Sequence, residues 1–489
     1  MNFKTIINIL SAMVTIVGIS MLIPVLIALF GGESELRGLV ISMTISIGLG
    51  LPLWVLTRNN RSLSTKDGFI IVTLTWISVA VVSSLPFYFT GAIPNFTDAF
   101  FESMSGVTTT GASIIGNPQT LPNLPNGIES LSKSILYWRS FIQWIGGMGI
   151  IVFTIAILPL LGVGGVQLFK AEVPGPVADK IRPRMRETAK ILWMVYLGFT
   201  VLEIILLGFS GMGWFDSICH ALTTMPTGGF STKNASIAHF ANPVTQYIII
   251  LFMFIAGVNF SLHFLALTGR IKDYFKDIEF LTYLGITAGI TFLIFVNISG
   301  AQNDWSHKQF IGSLFQTVSI ITTTGYATEN YVIWPYLAQF LLLMLMFFGG
   351  MGGSTGGGMK IVRVILLVKY ATKEIRRMMH ARAVFPIRIG TRFINEDIVK
   401  NTLGFALFYI SIFVLAILVL TALNLDLTSA MGVAAAALGN VGPALGSYGP
   451  AENYALLHPI GKWLLTFLML LGRLEIFTII VLFSRTFWK

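Results

Sequence analysis

The sequence predicts an all-α integral membrane protein, with four pseudo-repeated span, pore-helix and span units around a central pore, plus two extra N-terminal transmembrane helices. Three observations predict it. Hydrophobic residues make up 54% of the 489 and charged residues only 11%, less than half the roughly 25% of a soluble chain. Mean hydropathy is +0.78, and ten windows are apolar for the ~20 residues that a helix needs to cross a bilayer core. Between some of them, four short segments recur with one internal spacing.

The windows fall at 5–30, 37–57, 67–90, 134–160, 187–210, 243–268, 278–299, 334–370 (interrupted), 398–423 and 459–486. The first, Ile6 to Phe30, far exceeds the ~7–15 residues of a signal-peptide core and lacks a small-residue cleavage site, so it reads as a retained span. Orientation follows from charge, because cytoplasmic loops are enriched in Lys and Arg. Arg58, Arg61 and Lys66 lie in one loop; Lys170, Lys180, Arg182, Arg184, Arg186 and Lys190 in a second; Arg270, Lys272 and Lys276 in a third. Residues 360–400 add ten basic residues against three acidic ones. All fall on one side, which puts both termini in the cytoplasm and turns 91–133, 211–242, 300–333 and 424–458 outward. The expected units are 1–66 (two N-terminal helices), 67–186, 187–276, 277–396 and 397–489 (pore repeats).

The outward segments carry the repeat. Asp98 to Gly111 reads DAFFESMSGVTTTG and Asp216 to Gly229 reads DSICHALTTMPTGG; the same interval ends at Gly325 (GSLFQTVSIITTTG) and at Gly442 (SAMGVAAAALGNVG). Each joins about ten mostly small or apolar residues to a short Thr- or Gly-containing stretch. A helix of ten residues rises ~15 Å, half the membrane, so the chain must turn at mid-depth and come back. Nonhelical backbone survives there only when it is buried in protein or lines a wet cavity. Four copies satisfy this together by aiming carbonyls at one axis, and such carbonyl rings replace the hydration shell of potassium. Close helix packing is the competing reading of any single copy; four equal intervals on one face argue against it.

These residues resemble the bacterial Trk/Ktr and plant HKT superfamily of potassium transporters, specifically the Trk-type uptake subunit, over essentially the whole chain. The resemblance rests on filters reading Thr108-Thr109-Thr110-Gly111-Ala112-Ser113, Thr227-Gly228-Gly229-Phe230-Ser231, Thr323-Thr324-Gly325-Tyr326-Ala327 and Asn440-Val441-Gly442-Pro443. The two extra N-terminal spans favour the Trk type over the shorter Ktr type. The resemblance implies that Thr109, Thr110, Gly111, Thr227, Gly228, Gly229, Thr323, Thr324, Gly325, Asn440, Val441 and Gly442 bind K+ as the transported ion, with no covalent cofactor. It implies a homodimer with one pore per subunit in a bacterial inner membrane, and a cytoplasmic ring of NAD- or ATP-binding regulatory subunits. Glycine rather than serine at Gly111, Gly229, Gly325 and Gly442 implies selectivity for potassium over sodium.

The span after each filter carries a second aligned position: Gly146-Gly147-Met148, Ala256-Gly257-Val258, Gly349-Gly350-Met351 and Gly472-Arg473-Leu474. A charge near the bilayer centre costs at least ~2.5–3.5 kcal/mol, so Arg473 must face water or a partner. It reads either as a barrier in the pore below the filter or as half of an ion pair with Glu475 or Glu102. Gly349, Gly350, Gly352, Gly353, Gly356, Gly357 and Gly358 break the third repeat's second span. They read as a flexible gating linker or as a close-packing site. Gly353 and Gly358 have P-loop spacing, but Met359 occupies the lysine position and the context is a membrane helix, which excludes nucleotide binding.

Glu102, His220 and Gln316 hold equivalent places in three pore helices, for a shared bond behind the filter or for packing. Glu203 sits inside a span with no repeat partner and no assigned role. Cys219, the single cysteine, reads as a packed apolar residue and excludes an internal disulfide. No nucleophile, base and orienting group share one segment, which argues against an enzyme, and nothing calls for nucleic acid. A channel-like permease opened by a cytoplasmic partner is the favoured function; a proton- or sodium-coupled symporter is the alternative.

Overall fold

A computed structural model of the protein describes residues 2–58, 64–116, 121–156, 185–380, 383, 385–390 and 392–488. Arg61, Lys170, Lys180, Arg182, Arg184 and Arg382 of the basic loops lie outside the described residues. The architecture is helical; the strand pair among the described residues is Arg388–Ile389 against Arg392–Phe393.

α1 (Phe3–Ser20) and α2 (Leu22–Gly31) run on as one span, and α3 (Leu36–Leu56) returns beside them. A long, short, long order then recurs. It is α4 (Thr65–Phe89), α5 (Phe96–Val107) and α6 (Lys133–Ala156), followed by α7 (Met185–Phe209), α8 (Trp214–Thr224) and α9 (Pro243–Ala256) with α10 (Phe260–Leu267). Next come α11 (Ile278–Gln302), α12 (His307–Ile321) and α13 (Tyr336–Met346) with α14 (Ile361–Met379), and last α15 (Glu396–Ala422), α16 (Leu427–Gly439) and α17 (Pro459–Arg473). Apolar side chains on the outer helices face outward, Leu407 at 68% exposure and Leu415 and Leu418 at 60%. Threonines, serines and charged groups lie inside. That inversion needs lipid as the surrounding solvent.

Local chemistry explains the short helices. Asn95 caps α5 by accepting from Thr97 N (2.9 Å), and Asp426 caps α16 by accepting from Ser429 N (2.9 Å). The Ser429 bonds hold the Asp426 carboxyl below the usual carboxylate range. α12 starts after Ser306, whose hydroxyl accepts from Gln309 N.

Two windows expected as single spans are broken. α9 and α10 meet at 105°, and α17 turns by 109° into Phe477–Phe483. The structural cause of each break is local. Asn259 caps α10 by accepting from Ser261 N (2.8 Å), and Glu475 and Ile476 take φ of 57° and 48°, which no helix continues through. The third interruption, between Met346 and Ile361, falls where the glycine run places it.

The N-terminal helices pack through small residues. Ser42, Ser46 and Gly50 recur every four residues on α3 and face Ser11, Thr15 and Gly18 on α1, all buried. A methyl on Gly50 would meet the Thr15 hydroxyl and backbone under 3 Å away, so this close approach depends on a missing side chain. Gly50→Leu is expected to cost about 1–3 kcal/mol by overpacking, read as a lower thermal-unfolding midpoint of the detergent-solubilised protein. A midpoint equal to wild type would show that the two helices part freely.

Candidate functional site

The four short helices end at Val107, Thr224, Ile321 and Gly439, and the next residues share one unusual backbone. Thr109, Thr227, Thr323 and Asn440 have φ of 54°, 58°, 61° and 55°, and two residues on Gly111, Gly229, Gly325 and Gly442 have φ of 83°, 76°, 80° and 98°. Left-handed residues that alternate with ordinary ones turn successive carbonyls to the same side. Threonine and asparagine in this region are uncommon and strained, a feature that gathers at functional sites.

The segments close into a ring. A methyl on Gly111 would lie under 3 Å from the Gly228 carbonyl, on Gly229 from that of Thr324, on Gly325 from that of Val441, and on Gly442 from that of Thr110. Each glycine therefore presses on the residue preceding the next segment's glycine, and the fourth returns to the first. All twelve residues expected to bind the ion belong to this ring. The carboxyl ends of the four short helices lead directly into it, and the negative ends of the helix dipoles favour a cation there.

A polar layer braces the ring from behind. Glu102 accepts from Ser113 Oγ (3.0 Å) and Ile114 N (3.0 Å), and His220 Nε2 bonds Ser231 Oγ (3.0 Å). Gln316 turns its amide oxygen to Thr328 N (2.9 Å) and Glu329 N (3.2 Å). The three equivalent side chains thus hold the chain just beyond the glycine in three repeats. Val433 stands at this place in the fourth, where Tyr454 donates to the Gly442 carbonyl (2.7 Å) instead.

Arg139, which sequence reasoning passed over, donates to Glu102 (2.6 Å) and to the Ser231 carbonyl (2.8 Å), tying repeat one to repeat two. Lys462 bonds Asp98 (2.6 Å) and ties repeat four to repeat one. Both are basic residues inside apolar windows, the same signal that singles out Arg473. Gln143, which donates to the Gly228 carbonyl (2.7 Å) and accepts from Phe230 N (3.2 Å), carries no comparable signal.

Below the ring, the glycine-rich stretch is a folded wedge rather than a slack linker. Gly349 N donates to Met359 O (2.8 Å), Met351 N to Gly257 O (2.8 Å), Gly357 N to Thr323 Oγ1 (2.7 Å) and Thr355 Oγ1 to Met225 O (2.9 Å). Glu279 Oε1 accepts from both Gly352 N (2.8 Å) and Val362 N (3.0 Å), bracing the start and the far side of the wedge. Glycine serves close approach here: methyls on Gly349, Gly350 and Gly357 would crowd the carbonyls of Gly357, Gly257 and Gly439.

Arg473 reaches this wedge. It is 2% exposed and donates to the Thr355 carbonyl (2.7 Å) and the Gly146 carbonyl (3.3 Å). The ion-pair alternative does not hold, since Glu102 pairs with Arg139 and Glu475 with Arg363 (2.6 Å). Among the described residues, Arg473 pairs with no carboxylate.

The chain is similar to known proteins over its whole length. A family model described as TrkH, cation transport protein, matches residues 36–489. The Trk system potassium uptake protein TrkH of Escherichia coli is 40% identical, with 100% of both chains covered. TrkG of the same organism is 34% identical over 98% of this chain and 97% of its own. The crystal structure of the potassium transporter TrkH from Vibrio parahaemolyticus superposes with a TM-score of 0.90 at 38% identity, covering 100% of both chains.

Breaking the Arg139–Glu102 pair strands a buried carboxylate. Arg139→Met is expected to destabilise by about 3–5 kcal/mol, and adding Glu102→Gln to recover most of the loss, read as thermal midpoints of the purified protein. Additive losses in the double variant would show that the two groups do not act as a pair.

Proposed function

The chain belongs to the TrkH family of cation transport proteins, and from that premise we propose that it takes up potassium through one pore per subunit. The observation that carries this reading is the closed ring in which Gly111, Gly229, Gly325 and Gly442 each abut the carbonyl before the next repeat's glycine. In this reading K+ sheds water and binds carbonyl oxygens of Thr109, Thr110, Gly111, Thr227, Gly228, Gly229, Thr323, Thr324, Gly325, Asn440, Val441 and Gly442. The strained, side-by-side packing resists shrinkage around the smaller sodium ion. The units run as 67–186, 187–276, 277–396 and 397–489, behind two N-terminal helices in 1–66.

Gly349–Gly358 and Arg473 form the gate. With the wedge bonded to Thr323, Met225 and Gly257 directly beneath the ring, and a guanidinium bonded to its Thr355 carbonyl, a cation leaving the filter meets backbone and positive charge. Opening requires the wedge to leave. Its continuation, α14, carries Lys369, Lys373, Arg376 and Arg377, a basic surface on which a cytoplasmic regulatory subunit acts, and any NAD or ATP binds that subunit. The protein functions as a homodimer in the bacterial inner membrane with both termini cytoplasmic. Alternating access, as in a proton- or sodium-coupled symporter, fits less well, because mutual contacts around the ring leave no repeat free to rock.

Flux through purified protein in liposomes tests this, with potassium, rubidium and sodium gradients imposed separately and no proton gradient. Passive potassium and rubidium flux with little sodium flux is expected; silence until a proton or sodium gradient is added would establish coupling instead. Arg473→Ala is expected to raise potassium flux by about an order of magnitude, through loss of a unit charge from a low-dielectric path. Unchanged flux would remove the arginine from the barrier. Gly325→Ala is expected to abolish the preference for potassium over sodium, measured as the ratio of the two fluxes.

A further inference from the structure

A cavity of about 150 Å³ opens on the outer face directly above the ring, bounded by Gly111, Gly229, Gly325 and Pro443. That is room for several waters, and any ion reaching the ring from this side crosses it. Among the described residues, three charged ones line it: Arg139, Lys233 and Glu452. Arg139 is neutralised by Glu102 at 2.6 Å, both buried. Glu452 is exposed at the rim. Lys233 differs from both. Its closest carboxylate, Asp216, lies 3.8 Å away, also accepts from Thr232 Oγ1 (2.7 Å), and is not part of the cavity wall.

Lys233 is also held in place. Its backbone N–H donates to Ser231 Oγ (3.1 Å), which bonds His220 in the layer behind the ring (3.0 Å). The backbone of Lys233 is thus fixed four residues past Gly229, so its charge is carried by a residue lining the compartment where a cation waits before losing water. Low-dielectric walls focus a charge's field into such a cleft, and that field acts on how often a cation arrives rather than on which cation fits.

We propose that Lys233 determines the affinity for external potassium: its charge disfavours cations in the outer vestibule and raises the concentration at which the pore fills. This rests on the reading of the ring as a potassium pore. The chain's only cysteine, Cys219, is buried, so Lys233→Cys supplies a single accessible thiol.

The test is potassium flux in liposomes of sorted orientation, with ionic strength set by an impermeant organic salt. At about 10 mM ionic strength, where the Debye length is ~30 Å, Lys233→Cys and Lys233→Gln are expected to lower half-saturating external potassium by about three-fold or more, and Lys233→Arg to leave it unchanged. The difference is expected to vanish near 1 M, where that length is ~3 Å. A cationic alkylammonium thiol reagent applied outside restores the wild-type value on Lys233→Cys; a neutral reagent of equal size does not. Identical half-saturation in wild type and both neutral variants at low salt, or equal effects of the two reagents, overturns the role of Lys233. Wild-type protein without passive potassium flux, or a thiol reached only from the cytoplasmic face, overturns the pore reading instead.

Discussion

Everything in this structure follows from one constraint: a backbone carbonyl inside a membrane must find a partner, because lipid offers none. Short helices that stop at mid-depth leave the following residues without a ladder. The solution is reciprocal, with four unpaired segments arranged so that each is wall to the next and all turn their oxygens to one side. The glycine at the close contact and the left-handed threonine or asparagine two residues earlier are both consequences of that packing. Neither has a purpose in a single copy.

Charge inside the apolar body obeys a related rule. Arg139 is joined to Glu102, Lys462 to Asp98 and Arg363 to Glu475, each at 2.6 Å. Arg139, through its further bond to the Ser231 carbonyl, and the Lys462–Asp98 pair each reach to a neighbouring segment of the ring, so groups that are costly to bury also fix its circumference. Arg473 breaks the pattern by resting on carbonyl oxygens of the wedge and of α6. Its guanidinium bonds the Thr355 and Gly146 carbonyls and lies over the Trp76 ring, with no carboxylate among the described residues to offset its charge. This distinguishes it from the arginines and lysine that brace through carboxylates.

How much of this was legible depended on whether a signal is local. The ten windows, the charge asymmetry and the thirteen-residue interval to Gly111, Gly229, Gly325 and Gly442 are properties of neighbouring residues, and the element order follows them. The equivalent places of Glu102, His220 and Gln316 were legible from register, whereas the choice between bonding and packing was not. The 105° and 109° bends were not, since hydropathy averages across Gly257 and Glu475 without registering that the chain turns. Asn259 as a helix cap carried the only clear hint at the first of them.

By itself, the sequence determined the solvent, the order of apolar elements and the common spacing of the four recurring segments, because composition and spacing act along the chain. Only tertiary structure decided that the glycine run is a bonded wedge, that Arg139 rather than Arg473 answers Glu102, and that Lys233 lines one cavity with Gly111, Gly229 and Gly325. Those outcomes depend on which of several compatible donors and acceptors meet between separate elements, as Thr355 meets Met225 and Arg473 meets Thr355. That choice is made by the shape of the assembled ring, where desolvation penalises every group that fails to find a partner.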